Sequence, residues 1–210
     1  MPITTPDLAG AFRLFGERLA EERDALTRLD QAIGDGDHGI NMDRGFQAVL
    51  GSLPTFLDDG PGALCKQVGM RLISTVGGAS GPLYGTFFLR MGTAMGTAEK
   101  LEPVELVAAL RAGLEGVIQR GKAVPDDKTM VDAMRPAIEA LEVSVGGDWQ
   151  EALASAACAA RQGRDRVTPL VARKGRASYL GERSTGHQDP GATSTTILFE
   201  SLHDALATIS

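Results

Sequence analysis

The chain has 210 residues, 43% of them apolar, with a net charge of −6 and a pI near 5.1. That length allows one domain, 1–210, with a sizeable core, and the acidic balance argues against non-specific nucleic-acid binding. No apolar run approaches a membrane span, and the N-terminus lacks the basic-then-apolar order of a signal peptide, so a cytoplasmic chain without membrane contact is expected.

Thr5-Pro6-Asp7 has the order of helix cap, first-turn proline and first-turn acid. Leu8, Phe12, Phe15 and Leu19 follow at helical spacing. Leu26, Leu29 and Ile33 extend that face, which predicts a helix delivering Asp30 near its end. A second helix is predicted over 41–50, a loop at Pro54 and 58–62, and a third helix over 63–76. Cys65 lies in that third helix; Cys158 lies in a later one. Reduced core thiols are the expected state of both, with a disulfide left open. A glycine-rich break at 77–82 leads to a helix from Pro82 carrying Leu83, Phe87, Phe88 and Met91. Its Gly85, Gly92 and Gly96 are costly unless neighbours pack closely there. Pro103 opens the next helix, faced by Leu106, Leu110, Leu114, Val117 and Ile118 and ended by Gly121-Lys122. Thr129 reads as the cap of a helix through Leu141, kinked at Pro136. Gly146-Gly147-Asp148 caps an alanine-rich helix over 149–162 that could reach Val171, and 192–209 forms the last helix. The total is about eight amphipathic helices with no convincing strand and no repeat. It predicts an all-α up-and-down bundle whose four polar, glycine-rich segments could meet at one end.

The first of those segments carries the strongest chemical signal. Asp30, Asp35 and Asp37 sit in and beside one turn with Gly34, Gly36 and Gly39. Three carboxylates aimed at one spot repel unless a cation lies between them. Hard Mg²⁺ prefers such oxygens and usually brings phosphate. A solvated acidic loop would not explain the interleaved glycines. An EF-hand starting at Asp35 fails, because Ile40 and Phe46 stand where the turn glycine and the bidentate glutamate belong. Gly34, Gly36 and Gly39 match a dinucleotide fingerprint literally, but helix rather than strand precedes them and two bare carboxylates lie inside.

In the second segment, consecutive N–H groups and the Ser80 hydroxyl beside a helix start suit phosphate oxygens, although a plain turn reads the same. The third contains Gly116 through Lys122, near a P-loop pattern, yet Ala123 replaces the metal-binding hydroxyl and no strand precedes it. Gly121 could admit a base or ribose closely, Lys122 could steer phosphate, and Met130 could pack on adenine or simply serve the core. The fourth, 173–194, is the densest basic cluster of an acidic chain and ends in an Asp189-Pro190-Gly191 turn. Its arginines offer forked donors suited to phosphate.

Taken together, these motifs resemble the L, nucleotide-binding subunit family of dihydroxyacetone kinases. The resemblance rests on Gly34 through Asn41, Gly77 through Thr86, Gly121-Lys122-Ala123 with Asp127 through Met130, and Lys174 through Ser194, in that order. It implies a closed barrel of eight antiparallel helices with the nucleotide, ADP or ATP, at one end. It implies that Asp30, Asp35 and Asp37 bind two Mg²⁺ ions. His38, Gly39, Ile40, Asn41, Ala79, Ser80, Gly121, Met130, Arg176, Asp189, Pro190 and Gly191 would line the nucleotide site. It further implies a separate K-type subunit holding dihydroxyacetone. In the phosphotransferase-system type, an M-type phosphocarrier charged from phosphoenolpyruvate rephosphorylates ADP in place. An ATP-exchanging kinase subunit for a related short sugar is the alternative within the same chemistry. A nucleotide-sensing module that binds a transcription regulator is the alternative of another class, against which the intact aspartate triad argues.

Overall fold

The computed structural model describes residues 2–207. Among the described residues nine α-helices follow in order: α1 Thr5–Glu21, α2 Arg23–Ile33, α3 His38–Ser52, α4 Gly60–Thr75, α5 Ser80–Met95, α6 Pro103–Gly121, α7 Met130–Ser144, α8 Trp149–Val167 and α9 Pro190–Leu206. Short 3₁₀ turns occupy Leu53–Thr55 and Arg176–Ser184, the second interrupted at Gly181. Helices α3 to α9 each pack on the next, and α1 closes the ring by contacting both α3 and α9. The result is an eight-helix up-and-down barrel, with α2 laid across α3 and α9. Phe12, Phe15, Phe46, Phe87 and Phe88 fill its interior in edge-to-face contacts, with Phe15 and Phe46 centred 4.6 Å apart. Burying each such ring stabilises the chain by roughly 1.5–3 kcal/mol.

Several boundaries differ from the sequence reading, each for a physical reason. The first cap is Thr4, not Thr5. Thr4 N donates to Asp7 Oδ2 at 2.8 Å and Thr4 Oγ1 accepts from Asp7 N, a reciprocal box that Thr5 could not form with Leu8. The helix expected to reach Ile33 unbroken bends at Glu22. Hydrogen bonds on either side of the bend persist (Glu22 N to Arg18 O, Leu26 N to Glu22 O), so periodicity does not mark it. Helix α3 begins at His38, three residues early, because Asp30 Oδ2 accepts from Asp37 N at 2.8 Å and His38 N at 3.1 Å. That cap comes from across the turn. Helix α5 begins at Ser80, with Pro82 in a first turn where its missing N–H costs nothing. The alanine-rich helix extends to Val167, and the last runs Pro190–Leu206; the end expected at Ile209 lies outside the described residues. A two-strand antiparallel pair, Ile3–Thr4 with Lys100–Leu101, was not expected and ties the N-terminus to the α5–α6 connection.

The cost of glycine inside α5 is offset as required. A side chain on Gly85 would meet Ile73 and the Gly69 carbonyl, and one on Gly92 would meet Lys66 and the Gly62 carbonyl, so α4 and α5 lie backbone to backbone. Gly96 is not within the helix but caps it, at φ 62°. Thr129 caps α7 as expected, and Pro136 lies inside that helix. Among the described residues, no helix is long and apolar enough to cross a membrane.

Candidate functional site

In an up-and-down ring, alternate connections fall at the same end. The connections α2–α3, α4–α5, α6–α7 and α8–α9 do so here, and together they line one cavity of about 420 Å³. These are the four segments singled out in the sequence.

Asp30, Asp35 and Asp37 lie along one side. One carboxylate oxygen from each falls within 4.8 Å of the others, with Asp30 buried, Asp37 half-buried and Asp35 exposed. Among the described residues one cation reaches them: Arg176 Nε contacts Asp35 Oδ2 at 2.9 Å. Three carboxylates and a single arginine leave negative charge uncompensated, and hard oxygen donors of this kind fit a divalent cation such as Mg²⁺. Asp30 has a second task in capping α3, which fixes its oxygen toward the turn.

His38 opens α3 and is buried with both ring nitrogens engaged. Nδ1 meets Ser80 Oγ at 3.0 Å and Nε2 meets Ser194 Oγ at 2.9 Å. Tyr84 OH extends the chain to Ser194 Oγ at 2.8 Å and Thr195 Oγ1 at 3.0 Å. Burial pushes the His38 imidazole down to about 4 against the opposing pull of Asp30, so it is neutral at pH 7. Asp189 is the cap of α9, its Oδ2 accepting from Ala192 N at 2.7 Å. The residue keeps some exposure, but its carboxyl is sunk against the cavity wall. Desolvation there raises it to about 7, with Asp132 and Asp30 adding to the rise and Ala192 N–H and Lys128 opposing it.

Of the residues proposed from the sequence, His38, Ala79, Ser80, Gly121, Met130, Arg176, Asp189, Pro190 and Gly191 line the cavity with the triad. Gly39, Ile40 and Asn41 do not. Gly39 packs on α2, where any side chain would collide with the Arg23 carbonyl and Thr27. Ile40 faces outward, half-exposed. Asn41 is buried beneath the 77–79 turn, close to Gly77 and bonded to Arg44 Nη2 at 2.7 Å. Lys122 caps α6 in the left-handed region and stands outside the lining. Sequence reasoning gave no role to Lys128, Tyr84, Arg120 or Ser194. The signal of Lys128, Tyr84 and Ser194 is tertiary, since their partners lie far along the chain, and Arg120 is placed only by the cavity it lines. The 122–128 segment is strained: Lys122, Asp126 and Lys128 all have positive φ, at a cost on the order of 1–2 kcal/mol each. Asp132 holds it by accepting from Asp126 N at 2.7 Å and Thr129 N at 2.8 Å.

The apolar part of the wall is Leu83, Val117, Ala123, Met130 and Val131, and the same cavity is lined by the triad's acids and by the basic Lys174 and Arg176. Such a cavity, apolar at one wall and charged at another, matches a ligand with a flat apolar group and an anionic tail.

Residues 32–204 match the family model described as the DAK2 domain. The PEP-dependent dihydroxyacetone kinase, ADP-binding subunit DhaL, of Escherichia coli K12 is 48% identical over 89% of this chain and 90% of that protein. A counterpart from Listeria innocua, PEP-dependent dihydroxyacetone kinase 1, ADP-binding subunit DhaL, is 46% identical over 90% of each. The solved dihydroxyacetone kinase of C. freundii in complex with AMP-PNP and Mg²⁺ superposes with a TM-score of 0.76 and 27% identity. The match covers 97% of this chain but 34% of that one. With a family model spanning most of its length and relatives this similar over nearly all of theirs, the chain belongs to the DAK2-domain family, among the DhaL-type subunits of dihydroxyacetone kinases.

Proposed function

We propose that this chain is a single nucleotide-binding domain, 1–210, acting as the phosphoryl-transfer subunit of a dihydroxyacetone kinase. The carrying observation is the Asp30, Asp35, Asp37 cluster at the mouth of an apolar-walled cavity. Asp30, Asp35 and Asp37 would hold the magnesium, two ions in this reading. When bound, magnesium neutralises phosphate oxygens and favours in-line transfer of the terminal group. The chain's own residues do the positioning. Leu83, Met130 and Val131 form the wall for a base, with Gly121 beside it. Tyr84, Ser194, His38 and Ser80 form one hydrogen-bonded chain, Tyr84 OH with Ser194 Oγ, Ser194 Oγ with His38 Nε2 and His38 Nδ1 with Ser80 Oγ, and Ser194 Oγ also donates to the Gly191 carbonyl at 3.1 Å. The chain fixes the Ser80 side chain beside the N–H groups at the start of α5, which are donors for phosphate oxygens. His38, neutral and bonded at both nitrogens, orients rather than abstracts a proton.

The acceptor belongs to a K-type subunit that holds dihydroxyacetone. The side of the cavity lined by Lys174 and Arg176 is where that subunit docks. Relatives that match this chain end to end carry PEP-dependent or PTS-dependent ADP-binding names, which supports ADP as a resident coenzyme recharged by an M-type phosphocarrier. A second reading has one observation in its favour: the D-erythrulose kinase of Mycolicibacterium smegmatis is 34% identical, although this chain covers 35% of it. The nucleotide content of purified protein separates the two. Near-stoichiometric ADP that survives dialysis with Mg²⁺ supports the coenzyme mode. An empty site that binds ATP reversibly supports an exchanging kinase subunit, and no affinity for either nucleotide refutes both.

A further inference from the structure

Lys128 is fully buried where the 168–184 segment closes on itself. Its ammonium donates to the carbonyls of Thr168 at 2.8 Å, Leu170 at 3.0 Å and Ser184 at 2.6 Å. A lysine has three N–H donors, and these carbonyls take all of them. None remains for a phosphate oxygen, so the obvious role of a lysine beside a nucleotide cavity is closed to it.

The acceptors point to a different task. Thr168 and Ser184 are the two feet of the segment that carries Lys174, Gly175, Arg176 and Ala177 to the cavity. The feet are tied together there: Thr168 O also accepts from Gly186 N at 3.0 Å, and Ser184 Oγ from Ala172 N at 2.9 Å. Lys128 is itself held rigidly. Its φ is 64°, the preceding carbonyl of Asp127 accepts from Arg173 N at 3.0 Å, and Asp127 Oδ2 accepts from Val124 N at 2.9 Å. A non-glycine residue stays in that region only when its surroundings over-determine it. At the far end of the segment Arg176 reaches Asp35.

We infer that Lys128 is a positioning residue, the pin that closes the 168–184 segment at its base and so presents Arg176 to Asp35 and to the phosphate end of the ligand. Its consequence for ligand binding rests on the nucleotide reading above; the pin itself does not.

Lys128→Met keeps the stem and removes the donors. Tryptic cleavage after Arg173, Lys174, Arg176 and Arg183 should then rise at least about tenfold at unchanged helical signal, since a freed segment opens more often. Mg·ADP affinity, measured by calorimetry on the full chain, should fall by about tenfold. Because the effect runs through Arg176, the double variant with Arg176→Gln should lose no more than Arg176→Gln alone. Losses that multiply, or an unchanged tryptic pattern, overturn the inference. Should Lys128→Met fail to fold, amine acylation of the wild type decides. Lys128 stays unmodified with or without Mg·ADP, whereas Lys174 reacts in the free chain and is shielded by the nucleotide. A Lys128 that reacts freely and is shielded only by Mg·ADP is a phosphate ligand, not a pin. Wild type that binds no Mg·ADP overturns the nucleotide reading instead, which the tryptic and free-chain acylation results judge nothing about.

Discussion

Asp189→Asn should stabilise the nucleotide-free chain at alkaline pH and leave it little changed at acid pH. The carboxyl is raised by burial from 3.8 to about 7 in the folded chain. A raised folded-state value means that folding takes up a proton between the two values. The stabilising contribution is complete below about 3.8, shrinks as pH rises, and is gone above about 7. A rise of that size corresponds to a ceiling of roughly 4 kcal/mol. Because Asp189 is not wholly enclosed, water screens part of this, and about 2 kcal/mol is the better expectation. Asparagine keeps the shape and the acceptor for Ala192 N, and it caps helices as well as aspartate does. It forgoes the favourable meeting of a charge with the α9 N-terminus, roughly 0.3–1 kcal/mol. The net gain at pH 8.5 is therefore about 1–2 kcal/mol, against under about 1 kcal/mol at pH 5, where roughly a third of the effect between 3.8 and about 7 has developed.

Urea unfolding of both proteins in EDTA, without nucleotide, at pH 5 and pH 8.5 reads this difference directly. A variant less stable than wild type at pH 8.5, or a difference of equal size at both pH values, would show that the carboxylate is solvated or compensated in the folded chain. The reasoning from burial would then fail.

Three further outcomes are expected. Asp35→Asn abolishes phosphoryl transfer while far-UV circular dichroism stays helical, because Asp35 is exposed and its loss disturbs no packing; near-normal turnover would count against the aspartate cluster as the metal site. Gly39→Ala drives a methyl into the Arg23 carbonyl and Thr27, separating α2 from α3 at a cost of about 3 kcal/mol or more, visible as a melting temperature lowered by several degrees. A thiol reagent at pH 8 modifies Cys158 quickly and Cys65 only after unfolding, since Cys158 is exposed while burial pushes Cys65 up to about 12.

Much of this architecture was legible in the residues because helices announce themselves locally. Leu8, Phe12, Phe15 and Leu19 share a face by spacing alone, and all four are buried as that face requires. Thr129 caps α7 using a neighbour two residues away, as its sequence suggested, whereas Asp189, expected in a turn, caps α9 through Ala192 N. The errors fell where the deciding partner is distant or where the pattern is silent. Asp30 caps α3 from seven and eight residues back, so the start of α3 could not be found in its own sequence. The bend at Glu22 leaves the apolar stripe intact. Ile3 pairs with Leu101, and nothing near either residue says so. At the site, the acids and glycines were visible as types, and the resemblance put Gly39 and Asn41 at the nucleotide site. A helix turns each successive residue by about 100°, which sets these two against α2 and the 77–79 turn, outside the cavity lining. Lys128 escaped notice because its three acceptors lie 40 or more positions away.

The topology also resolves an apparent conflict in the charge. A chain of net charge −6 with three clustered aspartates is a poor starting point for binding a polyanion. Yet the first residues of α3, α5, α7 and α9, namely His38, Ser80, Met130 and Pro190, all line the same cavity. Each helix start carries the equivalent of about half a positive charge on its free N–H groups. Four of them bring roughly two positive charges to the cavity without a side chain and without any change in the formal charge of the protein. Some of that potential is already used within the protein, since Asp30 caps α3, Thr129 caps α7 and Asp189 caps α9. Helix α5 is the exception. Its cap, Ala79, offers no side-chain acceptor, and its first-turn Ser80 is oriented by His38. The α5 N-terminus is therefore the one whose N–H groups remain for an anion. An ordinary even-numbered helical ring thus needs no basic core to hold phosphate. It needs four alternate helices, here α3, α5, α7 and α9, to begin at one end, and one of those beginnings left without a cap of its own.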